Sequence, residues 1–407
     1  MKITKVFAKN YKAFPHIDLE LKDVNLIIGR NGAGKSSLIR LFPLILGSII
    51  NGEDGVICLE PLGIDLAANY SDLVFGHKAT IPLSLGLSFV LDKKEYSFVT
   101  ECIYHSDFQR IVPLSFKYKT ESKELIFKNT LSEGNIYILN GDRNIELEFR
   151  GIIPLVERIV DEDIKKELVH LDVFRKEVLT GYLSYIGPFR NKIERVYPNR
   201  LNTGVNVGSE GENAPYIISN HDQKENYEFI DNINKWMKKY LENTEVKLFR
   251  DQNSFTINIK KNGITSNIVD HGIGFTQLLP LIVSKFARDI SGNSGMDIVE
   301  QPELHMHPSM CGSIIDLYLT NLDDDHINIL ETHSKETILR LRRRIAEDKS
   351  GKLMNRVQVI YIDQNESGSN IDLIKILNDG SCSWWPEGVF EEAYEEIIAI
   401  EEVLNER

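Results

Sequence analysis

The octapeptide Gly29-Arg30-Asn31-Gly32-Ala33-Gly34-Lys35-Ser36 fits G-x-x-x-x-G-K-[ST], the loop that cradles phosphates. Its flanks suit it. Val24-Asn25-Leu26-Ile27-Ile28 reads as a buried strand, and Ser37-Leu38-Ile39-Arg40-Leu41 opens a helical pattern. Glycines let backbone N–H groups turn inward around phosphate oxygens, and a helix start adds its positive dipole end. The pattern implies a nucleoside triphosphate. Asn31, Gly32, Ala33, Gly34, Lys35, Ser36 and Ser37 are its candidate contacts, with Lys35 on the β/γ-phosphates and the Ser36 hydroxyl on Mg²⁺.

Such a loop needs a carboxylate at the end of a neighbouring buried strand to hold the cation. Met296-Asp297-Ile298-Val299-Glu300 offers Glu300. Gln301-Pro302-Glu303-Leu304-His305-Met306-His307-Pro308 follows at once. Farther on, Leu330-Glu331-Thr332-His333-Ser334 sets His333 at the end of the next strand, within reach of a γ-phosphate. His305 and His307 could instead be a metal pair on a turn, but no third ligand is spaced to join them.

Apolar runs at 327–330 and 357–362 are further buried strands, with a helix over 334–346 between them. Alternation through residues 80–149 predicts an antiparallel sheet with one wet face. Three- and four-residue spacing predicts helices over 152–183 and 225–241. Between them, the Gly- and Asn-rich residues 204–215 read as a mobile loop. Pro43 should kink or end the first helix near Phe42. Pro280 should sit in the first turn of its helix, which places that start close to Thr276. A hairpin turns at Asn262-Gly263. Val389, Phe390, Ala393, Ile397, Ile400 and Leu404 would line an acidic C-terminal helix.

The 407 residues carry a net charge of −13, which argues against a chain that coats nucleic acid with its whole surface. A local basic groove stays open, from Arg340, Arg342, Arg343 and Arg344 on one helix or Arg190, Lys192, Arg195 and Arg200 around a loop. A salt-bridged face is the plainer alternative for both. No apolar run approaches membrane length, and the start carries no secretory segment. Cys58, Cys102, Cys311 and Cys382 are scattered without metal spacing, which fits a reducing cytoplasm.

Together the phosphate loop, Glu-Gln-Pro-Glu-Leu-His-Met-His-Pro, Glu-Thr-His-Ser and the Gly-rich helix start at 272–277 resemble the ABC-type ATPases of the SMC/RecF/OLD group. Tyr185-Ile186-Gly187-Pro188-Phe189-Arg190, Gly208-Ser209-Glu210-Gly211-Glu212-Asn213 and Trp385-Pro386-Glu387-Gly388 look like an OLD-like subgroup, which includes ATPase subunits of Septu-type anti-phage systems.

The resemblance implies an α/β fold: a two-lobed ABC-type head with a mixed sheet, an antiparallel β lobe and an inserted helical region. Residues 1–150 and 246–370 would be the two lobes, 151–245 the insert and 371–407 an acidic helical tail. It implies ATP and Mg²⁺ as cofactors and a homodimer, or an oligomer of dimers, that sandwiches nucleotide between one phosphate loop and the partner's signature helix. Gly274 and Thr276 would supply that signature contact. Gln301 stands where the group usually has a catalytic glutamate, so hydrolysis is expected to be slow or to use Glu303. The expected partner is a separate effector, a nuclease of HNH type, since the roughly 45 residues after Ile362 are too few for a nuclease domain. A RecF-like repair ATPase that binds duplex DNA is the alternative, and a transporter ATPase fits least.

Overall fold

The computed structural model describes residues 1–52, 55–131, 135–200, 206–223 and 227–390. Strands β1 (Lys2–Tyr11) and β2 (Phe14–Glu20) pair antiparallel, and β3 (Val24–Gly29) then leaves them for a second sheet. Helix α1 (Lys35–Ile50) follows. A meander of β4 (Leu83–Leu91), β5 (Lys94–His105), β6 (Arg110–Thr120), β7 (Glu124–Asn129), β8 (Ile136–Leu139) and β9 (Arg143–Glu146) joins β1 and β2 in an eight-stranded antiparallel sheet. Its alternating buried and open positions match the sequence pattern, as in β5, where Tyr96, Phe98, Thr100 and Cys102 all point inward.

The short pair β10 (Phe149–Arg150) and β11 (Ile153–Pro154) precedes α2 (Glu162–Glu177). Helix therefore does not run through 152–183. Pro154 lies in an extended ladder, and α2 starts only where the Asp161 carboxylate caps the N–H groups of Asp163 and Ile164. Next come β12 (Leu183–Ile186), β13 (Tyr197–Pro198), α3 (Ala214–Gln223), α4 (Tyr227–Tyr240), β14 (Glu245–Arg250), β15 (Ser254–Lys261) and β16 (Ile264–Asn267). The predicted hairpin joins β15 to β16. Asn262 and Gly263 both take positive φ there, 51° and 82°, as a tight primed turn requires.

The chain continues through α5 (Ile273–Ser291), β17 (Gly295–Glu300), α6 (Pro308–Leu319), β18 (His326–Glu331), α7 (Lys335–Glu347), α8 (Leu353–Arg356), β19 (Val357–Asn365) and β20 (Gly368–Ile374). The central sheet has the order β12-β17-β18-β3-β19-β20 and is parallel except where β20 turns back on β19.

This sheet separates two apolar cores. Ile27, Met296, Ile298, Ile327, Ile329, Ile360 and Ile362 face the core shared with α1, α2 and the antiparallel sheet. Val24, Leu26, Ile28, Val299, Leu330, Val357 and Val359 face α3 to α7. Period-two alternation with both faces covered explains why these strands read as continuous apolar runs. Because β12 is a strand of this sheet, residues 151–245 do not form one helical insert; α2 belongs to the first core and α3 and α4 to the second.

Three local expectations fail. Helix α1 does not end near Phe42 but continues through Pro43 to Ile50, because Leu41 to Ile49 is buried without a break and packing outweighs the lost hydrogen bond. Helix α5 starts at Ile273, three residues before Thr276, and carries Pro280 two turns in. The loop before α3 is pinned rather than free: Ser209 and Glu210 carbonyls accept from the N–H groups of Gly187 and Asn191, each at 2.8 Å. Of the predicted C-terminal helix, residues 391–407 lie outside the described residues. No helix among the described residues is long and apolar enough to cross a membrane.

Candidate nucleotide site

The phosphate loop hangs from the middle of the central sheet, between β3 and α1. Its bends need glycine. A Cβ on Gly29, whose φ is 152°, would lie 2.2 Å from the Ile362 carbonyl oxygen of β19. Gly34, at φ 106°, would press on Phe14 and Ser369 at 3.0 Å. Asn31 and Gly32 are exposed at the crest, Ala33 is buried, and Ser37 is half-buried on the first turn of α1.

No side chain caps the start of α1, and its first turn holds no acid. Its free N–H groups and dipole thus await an anion from outside the chain. Lys35 is buried there, and its Nζ donates to the carbonyls of Gly29 (2.9 Å) and Arg30 (2.8 Å). Burial pushes its ammonium down from the usual lysine range, although Glu331 works the other way. A buried lysine whose hydrogen bonds go to its own loop is held at the start of α1, where a phosphate-cradling loop needs its cation.

Glu331 ends β18, and its carboxylate accepts from the Ser36 hydroxyl at 3.1 and 3.3 Å. Burial raises this acid to about 7, helped by the neighbouring charge of Glu300 and opposed by Lys35. Glu300 ends β17. Two bonds from Arg40 (2.9 and 3.2 Å) and one from the Tyr185 hydroxyl (2.6 Å) hold it. Both strand-end acids thus converge on α1, and the one that touches Ser36 is Glu331. Sequence reasoning passed over it. The signal was present, since Glu331 closes a buried strand just as Glu300 does, but the histidine two residues on drew the attention.

Beyond Glu300 the chain turns sharply. Gln301 sits at φ 43°, a left-handed conformation that glutamine seldom adopts, and its N–H donates to the Glu331 carbonyl at 3.0 Å. Glu303 accepts the His333 backbone N–H at 2.5 Å, and burial raises its carboxyl above the usual range. His333 points its Nε2 toward Glu331 at 3.9 Å; burial and then Lys35 push its imidazole down, toward the neutral form. The structure therefore gathers Lys35, Ser36, Glu300, Gln301, Glu303, His333 and Glu331 at one end of the central sheet.

Gly274 and Thr276 lie elsewhere. A Cβ on Gly274 would lie 3.3 Å from the His305 carbonyl oxygen, and the Thr276 hydroxyl donates to the Ile273 carbonyl within α5 at 2.7 Å. Thr276 borders a cavity of about 350 Å³ whose walls also include Phe189, Arg190, Lys192, Ile273 and His305. No residue of the phosphate loop lines it.

The other candidates have structural employment. His307 caps α6, its Nδ1 accepting from the Ser309 N–H at 3.3 Å. Arg340 and Arg344 both pair with Asp316, and Arg343 pairs with Glu347. Arg195 makes two bonds to Asp270 (3.0 and 2.6 Å), and Arg200 covers the Tyr216 ring.

The AAA ATPase domain family matches residues 1–262. Among solved structures, an SMC head bound to the C-winged helix domain of ScpA superimposes over 92% of this chain and 98% of that one, at 12% identity and a TM-score of 0.51. The SMC head domain from Thermotoga maritima follows, with 92% and 100% covered, 13% identity and a TM-score of 0.47. A Pyrococcus furiosus Smc head with an extended coiled coil, bound to the C-terminal domain of ScpA, covers 98% and 99% at 12% identity and a TM-score of 0.47. No curated protein matches the chain.

Proposed function

Because this chain belongs to the AAA ATPase domain family and is an ATPase, we propose that two copies close head to tail around ATP and Mg²⁺ and so control a separate effector. The nucleotide brings the phosphoanhydride to be cleaved, and the cation neutralises charge on it. The loop N–H groups and Lys35 bind the phosphates, Lys35 having one ammonium donor beyond the two it gives to the Gly29 and Arg30 carbonyls. Ser36 and Glu331 would hold the cation, with Glu300 behind them. Gln301 would orient the attacking water, the Glu303 carboxylate would take its proton, and His333 would serve the terminal phosphate.

A single observation carries the pairing: the start of α5 borders a cavity that shares no lining residue with the phosphate loop. Each chain then presents two half-sites, and a partner completes both. The effector reading draws on the resemblance to Septu-type subunits, which makes a nuclease in anti-phage defence the proposed target. An SMC head of this fold is bound to a domain of another protein, ScpA.

Cysteines placed at Asn31 and Ile273, in a background without the partly exposed Cys58 and Cys382, test the pairing. ATP should drive crosslinks between chains. Crosslinks confined to one chain, or indifferent to ATP, would defeat it.

A further inference from the structure

Arg190 lies in the segment after β12 and touches both halves of the machinery. Its Nη2 donates to the Glu300 carbonyl at 3.1 Å and to the Gln301 carbonyl at 3.2 Å. Its own carbonyl faces the Gln277 amide of α5 at 3.5 Å, and its side chain lines the cavity at the start of that helix. The segment is itself braced on α5, because the loop it bonds to packs Gly211 against Pro280.

Arg190 is only 7% exposed, yet its Nε and Nη1 have no hydrogen-bond partner among the described residues. A buried charge with two idle donors costs free energy, and an apolar side chain of similar size would serve stability better. Burial indeed pulls its pKa down to about 10. What the arginine supplies is one nitrogen, Nη2, that reaches two consecutive carbonyls around the left-handed Gln301.

We propose that Arg190 is a positioning residue that ties the Glu300–Gln301 strand end to the start of α5, so that a partner closing on α5 sets the aim of Gln301 during hydrolysis. This rests on the paired-head reading. Arg190 touches neither the phosphate loop nor the Ser36–Glu331 pair, so its removal should spare nucleotide binding and strike turnover.

Arg190→Met and Arg190→Lys, measured by ATP titration, by the Asn31/Ile273 crosslink and by steady-state hydrolysis, decide it. The expected result is an ATP Kd within about twofold of wild type and an unchanged crosslink yield, with kcat lowered about tenfold or more in Arg190→Met. Arg190→Lys, which keeps a cationic donor group on a shorter side chain, should recover part of that loss. Unchanged kcat with normal crosslinking overturns the tie. So does a rise in Kd together with a fall in kcat and melting temperature in both variants, which marks a merely structural role. Gln277→Leu cuts the other end without unpairing a charge and should also lower kcat at constant Kd. Absence of crosslinks in the wild type sinks the pairing, and the coupling with it.

Discussion

Glu331 is a carboxylic acid that burial holds near pH 7 at the end of a strand. Between its ordinary pKa of 4.5 and about 7, the folded protein keeps a proton that the unfolded chain has released. Stability therefore falls as pH rises through that window, and the full cost is present above it. His333, pushed down, acts in the opposite sense below its ordinary 6.5, so a variant isolates the acid better than the wild-type profile does. In nucleotide-free protein, Glu331→Gln should gain on the order of 3 kcal/mol over wild type at pH 8 and little at pH 5. Denaturant titrations at the two pH values check this; equal gains at both would refute it. Gln301 carries the companion prediction. A neutral amide can orient water but cannot take its proton, and general-base assistance contributes ~10²–10⁴-fold. Gln301→Glu should raise kcat by about tenfold or more, and Glu303→Gln should lower it. An unchanged rate in Gln301→Glu would remove Gln301 from the hydrolytic position.

The elements divide by how local their causes are. The phosphate loop, its strand and the Asn262-Gly263 hairpin were legible because glycine-dependent bends write themselves into a few adjacent residues. Strands β17, β18 and β19 were legible as apolar runs with both faces covered. Helix α1 misled because the rule for proline is local, whereas the packing that overrides it comes from both sheets. Helix α5 misled in the same way: Gly272 at φ 81° opens it, and Pro280 is accommodated against Gly211 of a distant loop. In the candidate site, Lys35, Ser36, Glu300 and His333 could be named from their motifs. The Ser36–Glu331 contact, and Arg190 gripping the backbone, could not, since each joins segments more than 100 residues apart.

At the scale of the molecule, charge bears on partners. With a net charge of −13, and with Arg195, Arg340, Arg343 and Arg344 already paired to acids of the same chain, those four arginines are not free for a phosphate backbone. Purified protein with ATP and Mg²⁺ should leave plasmid intact and unshifted at ~0.15 M salt. A shift at that salt would favour the RecF-like alternative, and cleavage would place the nuclease in this chain. The central sheet has a consequence of its own. It is a party wall whose two sides are furnished by different neighbours, so a strand cannot be nudged from one room without moving the plaster in the other. The phosphate loop is fastened at the middle of that wall. Its posture is therefore a common possession: the meander on one side and the α5 half-site on the other both lean on the strand from which it springs.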